Sequence, residues 1–376
     1  MNERVGIYSI GTFLPKTIRD NSYWPPIVQR DWQKQLEREI KVFRSDAQRL
    51  GDGARLAVEA ITETAKDDPF QGFVHRRVMP DEMRTSEMET AAAREAIERA
   101  GIDPTEIGLV VSHSVCPDFL NTANACFVHL NLGLTPRCVC ISLDGSMCNS
   151  FLLELELANQ MILAGRTKYA LLVQSSGLTR FATRDQIFSP SFGDGAAAVV
   201  VGRVDREYGI LGQSTHINGN LSKAFVMGVP YKPWHEGGRV VAYVEDPVAS
   251  IRMLLSAPEL GRQVVHEALD EAGLETENVD FYASHQSTVW FRRVSQSYIG
   301  LSRAKAVDTS SWAGTICGAN IPLALATAQQ EGTLKDGDVV AMYTPGGGHY
   351  SGAIMRWGTG GRVTQARADH QEHAGG

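Results

Sequence analysis

Cys148 stands where an apolar run, Ile141-Ser-Leu, gives way to the small-residue turn Asp-Gly-Ser-Met and then to a helical pattern over Leu152 to Ala164. A thiol at a helix N-terminus meets unpaired backbone N–H groups and the positive end of the helix dipole, which favours the thiolate. That makes Cys148 a candidate nucleophile; a buried, inert thiol is the competing reading. His285 ends the apolar run from Val279 to Ser284 and is followed by Gln286. Brought to Cys148, its imidazole would hold the thiolate as an ion pair, or accept a proton once the sulfur carries an acyl group. The run Pro345-Gly-Gly-Gly348 permits close backbone approach, so its N–H groups and that of Cys148 can form an oxyanion hole; a plain tight turn is the alternative. No helix pattern follows these glycines and no Lys-Ser/Thr completes a phosphate loop, which argues against a nucleotide cradle. His113-Ser-Val-Cys116 with Cys138-Val-Cys140 invites a zinc reading, but the spacing matches no common structural site and no metal is expected.

The elements that must position these residues are written twice. Ala96 to His113 can be laid over Ala268 to His285 at a constant offset, each copy an amphipathic helix closed by glycine (Gly101, Gly273), a short loop and an apolar strand ending in Ser-His. This makes His113 the repeat mate of His285, expected to face the other way and to be structural. Further on, the run from Cys148 to Gly165 and the strand Tyr169 to Gln174 parallel Thr315 to Gly332 and Val339 to Tyr343, which places Cys148 and Thr315 at equivalent positions. Phe192-Gly-Asp-Gly195 echoes Pro345 to Gly348. The pattern predicts two α/β halves, 1–205 and 206–360, packed about a pseudo-twofold axis. Outside the repeat lie an inserted, mostly helical cap at 20–71, a loop-rich stretch at 216–245 and a polar tail at 361–376.

Composition sets outer limits. The 376 residues, 43% of them hydrophobic and 21% charged, suffice for a sizeable core. With 36 Lys+Arg against 43 Asp+Glu, the formal charge of -7 supplies no basic field, so neither nucleic acid nor a membrane surface is expected as a partner. The start lacks a secretory pattern and no apolar run nears the roughly 20 residues of a membrane span, so a cytoplasmic protein with six reduced cysteines is expected.

Together these residues resemble the thiolase superfamily, and within it the ketoacyl-acyl-carrier-protein synthase III-like branch. The resemblance runs from about Phe73 to Trp357 with the opening strand, through the Cys148 turn, Phe192-Gly-Asp-Gly-Ala196, Ser284-His285-Gln286, Gly314-Thr-Ile-Cys-Gly-Ala-Asn-Ile-Pro322 and Gly346-Gly-Gly348. It implies an α/β, thiolase-like duplicated five-layer αβαβα fold. It implies that Cys148 takes an acyl group from a coenzyme A or acyl-carrier-protein thioester, with the N–H groups of Cys148 and Gly347 holding the oxyanion and His285 assisting. No permanently bound cofactor is implied; coenzyme A or phosphopantetheine arrives as the thioester substrate. A homodimer is implied, whose partner chain closes the acyl pocket through the region matched by Asp118 to Thr122, including Phe119 and Leu120. Gln286 joins these as a substrate-binding residue. Separately, the pair Arg292 and Arg293, shortly after His285, reads as a contact for phosphopantetheine or a carrier protein's acidic helix, with merely solvated surface arginines as the competing reading.

One departure narrows the reaction. Counting back from Ile321-Pro322, the position that is Asn in the decarboxylating relatives is Thr315. An Asn amide and a His donate together to the enolate that forms when a malonyl unit loses carbon dioxide. With a threonine there, the expectation is a cysteine-dependent acyltransferase of secondary metabolism that serves a small acceptor. The alternatives are a decarboxylative ketosynthase III-type condensing enzyme and a catalytically silent scaffold subunit.

Overall fold

A computed structural model describes residues 3–25, 32–143 and 145–360; the expected tail at 361–376, and Asp144 of the Cys148 turn, lie outside the described residues. Two sheets carry the chain. In the first, Arg4–Phe13, Asp194–Val204, Tyr169–Gly177, Ile107–Ser114 and Val139–Ser142 lie side by side in that order. In the second the order is Gly209–Ile217, His349–Arg356, Val339–Gly346 and Phe281–Ser284. Strand directions repeat as well. Ile107–Ser114 runs parallel to Tyr169–Gly177, as Phe281–Ser284 does to Val339–Gly346, and each next neighbour is antiparallel. An isolated parallel bridge from Phe281 to Lys305 occupies the place that Val139–Ser142 holds in the first sheet.

The repeated helices end for one physical reason. Helices Thr85–Ala100 and Pro247–Ala272 are capped by Gly101 and Gly273, both at φ 65 with ψ 32 and 34, a left-handed conformation that glycine enters without a Cβ clash. A 3-10 turn follows each, at Pro104–Glu106 and Thr276–Asn278, and then a strand, Ile107–Ser114 with His113 inside its end and Phe281–Ser284 with His285 just beyond.

The layers follow from which faces are apolar. Helices Ser150–Leu163 and Asn320–Gln330 lie between the sheets, and one core joins Leu109, Phe151 and Leu172 of the first half to Ile321, Val340 and Met355 of the second. Thr85–Ala100 covers the outside of the first sheet and Pro247–Ala272 that of the second. This is the five-layer αβαβα arrangement. The cap helices, Trp32–Leu50 and Asp52–Ala65, set Ile40, Ala54, Val58 and Ile61 into the core around Leu255, Val265 and Phe291, so they buttress the outer helices of the second half. No described helix is long and apolar enough to cross a membrane.

One register differs from the sequence expectation. Cys317, at φ 54, opens the 3-10 turn Cys317–Ala319 as Met147, at φ 48, opens Met147–Asn149, whereas Gly165 and Gly332 close the two helices at φ 70 and 68. The openings are thus three residues further apart in sequence than the closures, because the later helix is nearly one turn shorter. By turn geometry Gly318, not Thr315, is the counterpart of Cys148, and Cys317 that of Met147.

Candidate active site

Cys148 lies in the 3-10 turn two residues before helix Ser150–Leu163. The turn is pinned from the second half: Thr344 Oγ1 donates to the Cys148 carbonyl at 2.9 Å, and Asn149 Nδ2 donates to Ser351 Oγ at 2.9 Å. The glycine hairpin closes over it. A Cβ on Gly346 would lie 2.9 Å from both the Cys148 nitrogen and its Cβ, and Gly347 holds φ 59 against the Gly145 carbonyl. Absence of side chains is what allows this approach.

His285 is buried, and its N–H donates to the Tyr343 carbonyl at 3.0 Å, continuing the parallel strand pair up to the site. Its Nδ1 is buried without a hydrogen-bond partner among the described residues. The half-buried sulfur of Cys148 lies 3.5 Å from that of Cys317. The Cys317 thiol as donor, with the neighbouring imidazoles of His285 and His113, holds the Cys148 thiol well below its ordinary range despite burial, while Cys317 is pushed well above it. Cys148, His285, Thr315, Cys317, Gly346 and Gly347 share one end of a cavity of about 280 Å³ whose walls are largely apolar, with Phe188, Phe192, Phe225 and Phe291 among them.

Thr315 lines this cavity, yet its hydroxyl is committed elsewhere. Asn320 Oδ1 accepts from the Ile316 N–H at 3.2 Å, which fixes the amide orientation, and Thr315 Oγ1 donates to the same oxygen at 3.2 Å.

Several expected residues sit differently. Gln286 is 1% exposed: its Nε2 donates to the Val307 carbonyl at 2.8 Å and its Oε1 accepts from the N–H groups of Thr309 and Ser310, so it ties down the 307–310 loop and does not line the cavity. Arg292 grips Asp308 through Nε and Nη2 and also reaches Gln296, so its guanidinium is occupied; Arg293 is exposed and outside the Cys148 cavity. Phe119 and Leu120, the latter 80% exposed, line a second cavity of about 620 Å³ that reaches Met147 and Gly347 on the other side of the Cys148 turn. His113 lines that cavity too, with Nδ1 3.0 Å from the Leu143 carbonyl, and stands near enough to Cys148 to favour its thiolate instead of facing away. Cys317 was missed as a site residue; its signal was a second cysteine in the repeated turn. Among the described residues, no group of three or more His, Cys, Asp or Glu is arranged to hold a metal.

Comparison with known proteins points to one family. The 3-oxoacyl-[acyl-carrier-protein] synthase III family matches over 145–219, and its C-terminal counterpart over 269–357. A β-ketoacyl-[acyl-carrier-protein] synthase III of Brucella anthropi is 30% identical over 310 residues, which span 80% of this chain and 93% of that protein. The solved 3-oxoacyl-[acyl-carrier-protein] synthase III of Aquifex aeolicus superposes with a TM-score of 0.73 at 23% identity, covering 95% of this chain and 100% of that one. OleA of Xanthomonas campestris gives 0.72 at 20% identity, with 94% and 97% covered.

Proposed function

The chain belongs to the 3-oxoacyl-[acyl-carrier-protein] synthase III family, and we propose that within it the protein is a cysteine-dependent acyltransferase of secondary metabolism, moving an acyl group from a coenzyme A or carrier-protein thioester to a small acceptor. The observation that carries this reading is the hydroxyl of Thr315, turned to Asn320 beside an otherwise complete Cys148–His285 site. Acyl loading needs only the thiolate and the oxyanion donors. The Cys148 thiolate attacks the thioester carbonyl, the oxyanion rests on the N–H groups of Cys148 and Gly347, and collapse expels the donor thiolate. An acceptor hydroxyl or amine then attacks the acyl carbon, His285 takes its proton, and the C–S bond breaks with its electron pair on Cys148.

A phosphorylated donor suits the surroundings. On the far side of Phe192 lies a cavity of about 510 Å³ whose lining includes Arg19, Arg184 and Arg239, with Asp81 as its acidic group; Arg76 and Arg180 stand in the same wall but are held by the carbonyls of Pro190 and of Pro80, Asp81 and Met83. Such a lining complements the phosphates of coenzyme A or of a phosphopantetheine arm. A homodimer fits the first sheet, whose edge strand Val139–Ser142 is unpaired on one side, with Val139 and Leu130 46% and 72% exposed.

The second reading, decarboxylative condensation, is favoured by the names of the relatives. It requires donors for an enolate. Loss of one such donor costs about 2.7 to 4 kcal/mol, a factor of about 10² to 10³. Supplied with a malonyl thioester, the protein is expected to release carbon dioxide about 10² to 10³-fold more slowly than a relative with Asn at this position. Release in step with a condensed product would establish the ketosynthase reading instead.

A further inference from the structure

Cys317 is held at φ 54, a left-handed conformation that residues bearing a Cβ adopt seldom. Its turn is pressed against the start of the Cys148 helix, since a Cβ on the following Gly318 would fall 2.0 Å from Ser150 Oγ and 3.4 Å from the Met147 carbonyl. The thiol, 1% exposed, is thereby delivered to 3.5 Å from the Cys148 sulfur, in the wall that also carries His285. From this juxtaposition we propose that Cys317 is a positioning residue for acyl transfer, donating its S–H to the Cys148 thiolate in the free enzyme and to the same sulfur as it leaves the tetrahedral intermediate. The role rests on the acyltransferase reading of Cys148.

Surroundings decide which sulfur keeps the proton. The titratable groups that face Cys148 are Cys317 from its turn, His285 from the end of Phe281–Ser284 and His113 from Ile107–Ser114. Val339–Gly346 brings only Thr344, which donates to the Cys148 carbonyl, and the Cys148 helix brings Glu154, whose carboxyl is engaged by Gln174. Both imidazoles and the helix N-terminus favour the anion at Cys148, so the proton remains on Cys317.

The consequence differs between the two half-reactions. An acylated sulfur is a weak acceptor, so the S–H contact is strong in the free thiolate, lost in the acyl-enzyme and regained as the thiolate departs. Deacylation is where Cys317 accelerates: the acceptor bonds to the carbonyl carbon, its proton passes to His285, the C–S electron pair returns to Cys148 Sγ, and the Cys317 S–H bond stays intact.

The test follows iodoacetamide alkylation of Cys148 against pH by peptide mapping, together with hydroxylamine cleavage of the preformed acyl-enzyme. In Cys317→Ala the alkylation midpoint is expected to rise by about one pH unit and hydroxylamine cleavage to slow about tenfold. Cys317→Ser keeps a donor in the same direction and is expected to recover most of both effects, which a purely structural role would not produce. An unchanged midpoint and cleavage rate in Cys317→Ala overturns the inference, as does a Cys317→Ser variant no better than Cys317→Ala. Because alkylation needs no acyl donor, the midpoint tests Cys317 independently. Failure of Cys148 to accept any acyl group overturns the proposed function, not the donor contact.

Discussion

At the scale of single residues, the proposed function has Thr315 separate two chemistries. Its hydroxyl serves Asn320 and offers nothing towards a developing enolate. Thr315→Asn places two amide donors at the same wall, and carbon dioxide release from a malonyl thioester is expected to rise at least about tenfold over the wild-type protein. A manometric or coupled assay that finds no rise would remove Thr315 from the explanation. That Cys148 and His285 meet in one cavity was legible because a residue type at a strand or helix end already fixes position to within a turn. Gln286 and Arg292 were misjudged because their partners, the 307–310 loop and Asp308, are adjacent in space only after folding. Cys317 had a signal, a second cysteine in the repeated turn, but that the two sulfurs come within 3.5 Å emerges only after folding.

Among elements, the hairpin of Val339–Gly346 and His349–Arg356 borders the proposed oxyanion site, and Gly346 packs against Cys148. Gly346→Ala must displace the hairpin or the thiol turn, so acyl loading of Cys148 is expected to fall by about 10²-fold with the fold retained, as followed by stopped-time mass spectrometry and circular dichroism. Loading at the wild-type rate would show that the hairpin takes no part. A second element-level effect lies behind the site, where helix Thr85–Ala100 meets strand Tyr169–Gly177. Burial pushes the Glu89 carboxyl up to about 7, against hydrogen bonds from Ser175 and Asn124. Between pH 4.5 and 7 the folded state therefore holds a proton that the unfolded chain has released. Stability from this group is complete below pH 4.5, falls as pH rises through that window and is level above it, a loss of about 3 kcal/mol. Glu89→Gln removes the decline, so urea midpoints of variant and wild type should diverge from pH 5 to pH 8 in favour of the variant. Parallel profiles would place the Glu89 titration outside that range. Sequence alone gave the order of these elements but mis-set the later helix by three residues, since a shorter helix and a shifted register look alike until the turns at Met147 and Cys317 are seen.

On the scale of the whole molecule, duplication explains how one cavity receives a thiol from the first half and an imidazole and glycine turn from the second. The repeat was readable at Gly101 and Gly273 because both copies need the same left-handed cap. The packing of the cap helices on the outer layer of the second half was not readable, since an amphipathic pattern says that a face is buried without saying against what. The claim on which the functional reading depends is that the Cys148 sulfur accepts an acyl group from a thioester. Intact-protein mass spectrometry after exposure to a panel of acyl-coenzyme A and acyl-carrier-protein thioesters, with peptide mapping, measures it directly. The expected result is a single acyl adduct on Cys148 that vanishes in Cys148→Ala; no adduct, or one that survives that substitution, would contradict it and leave the scaffold reading in place.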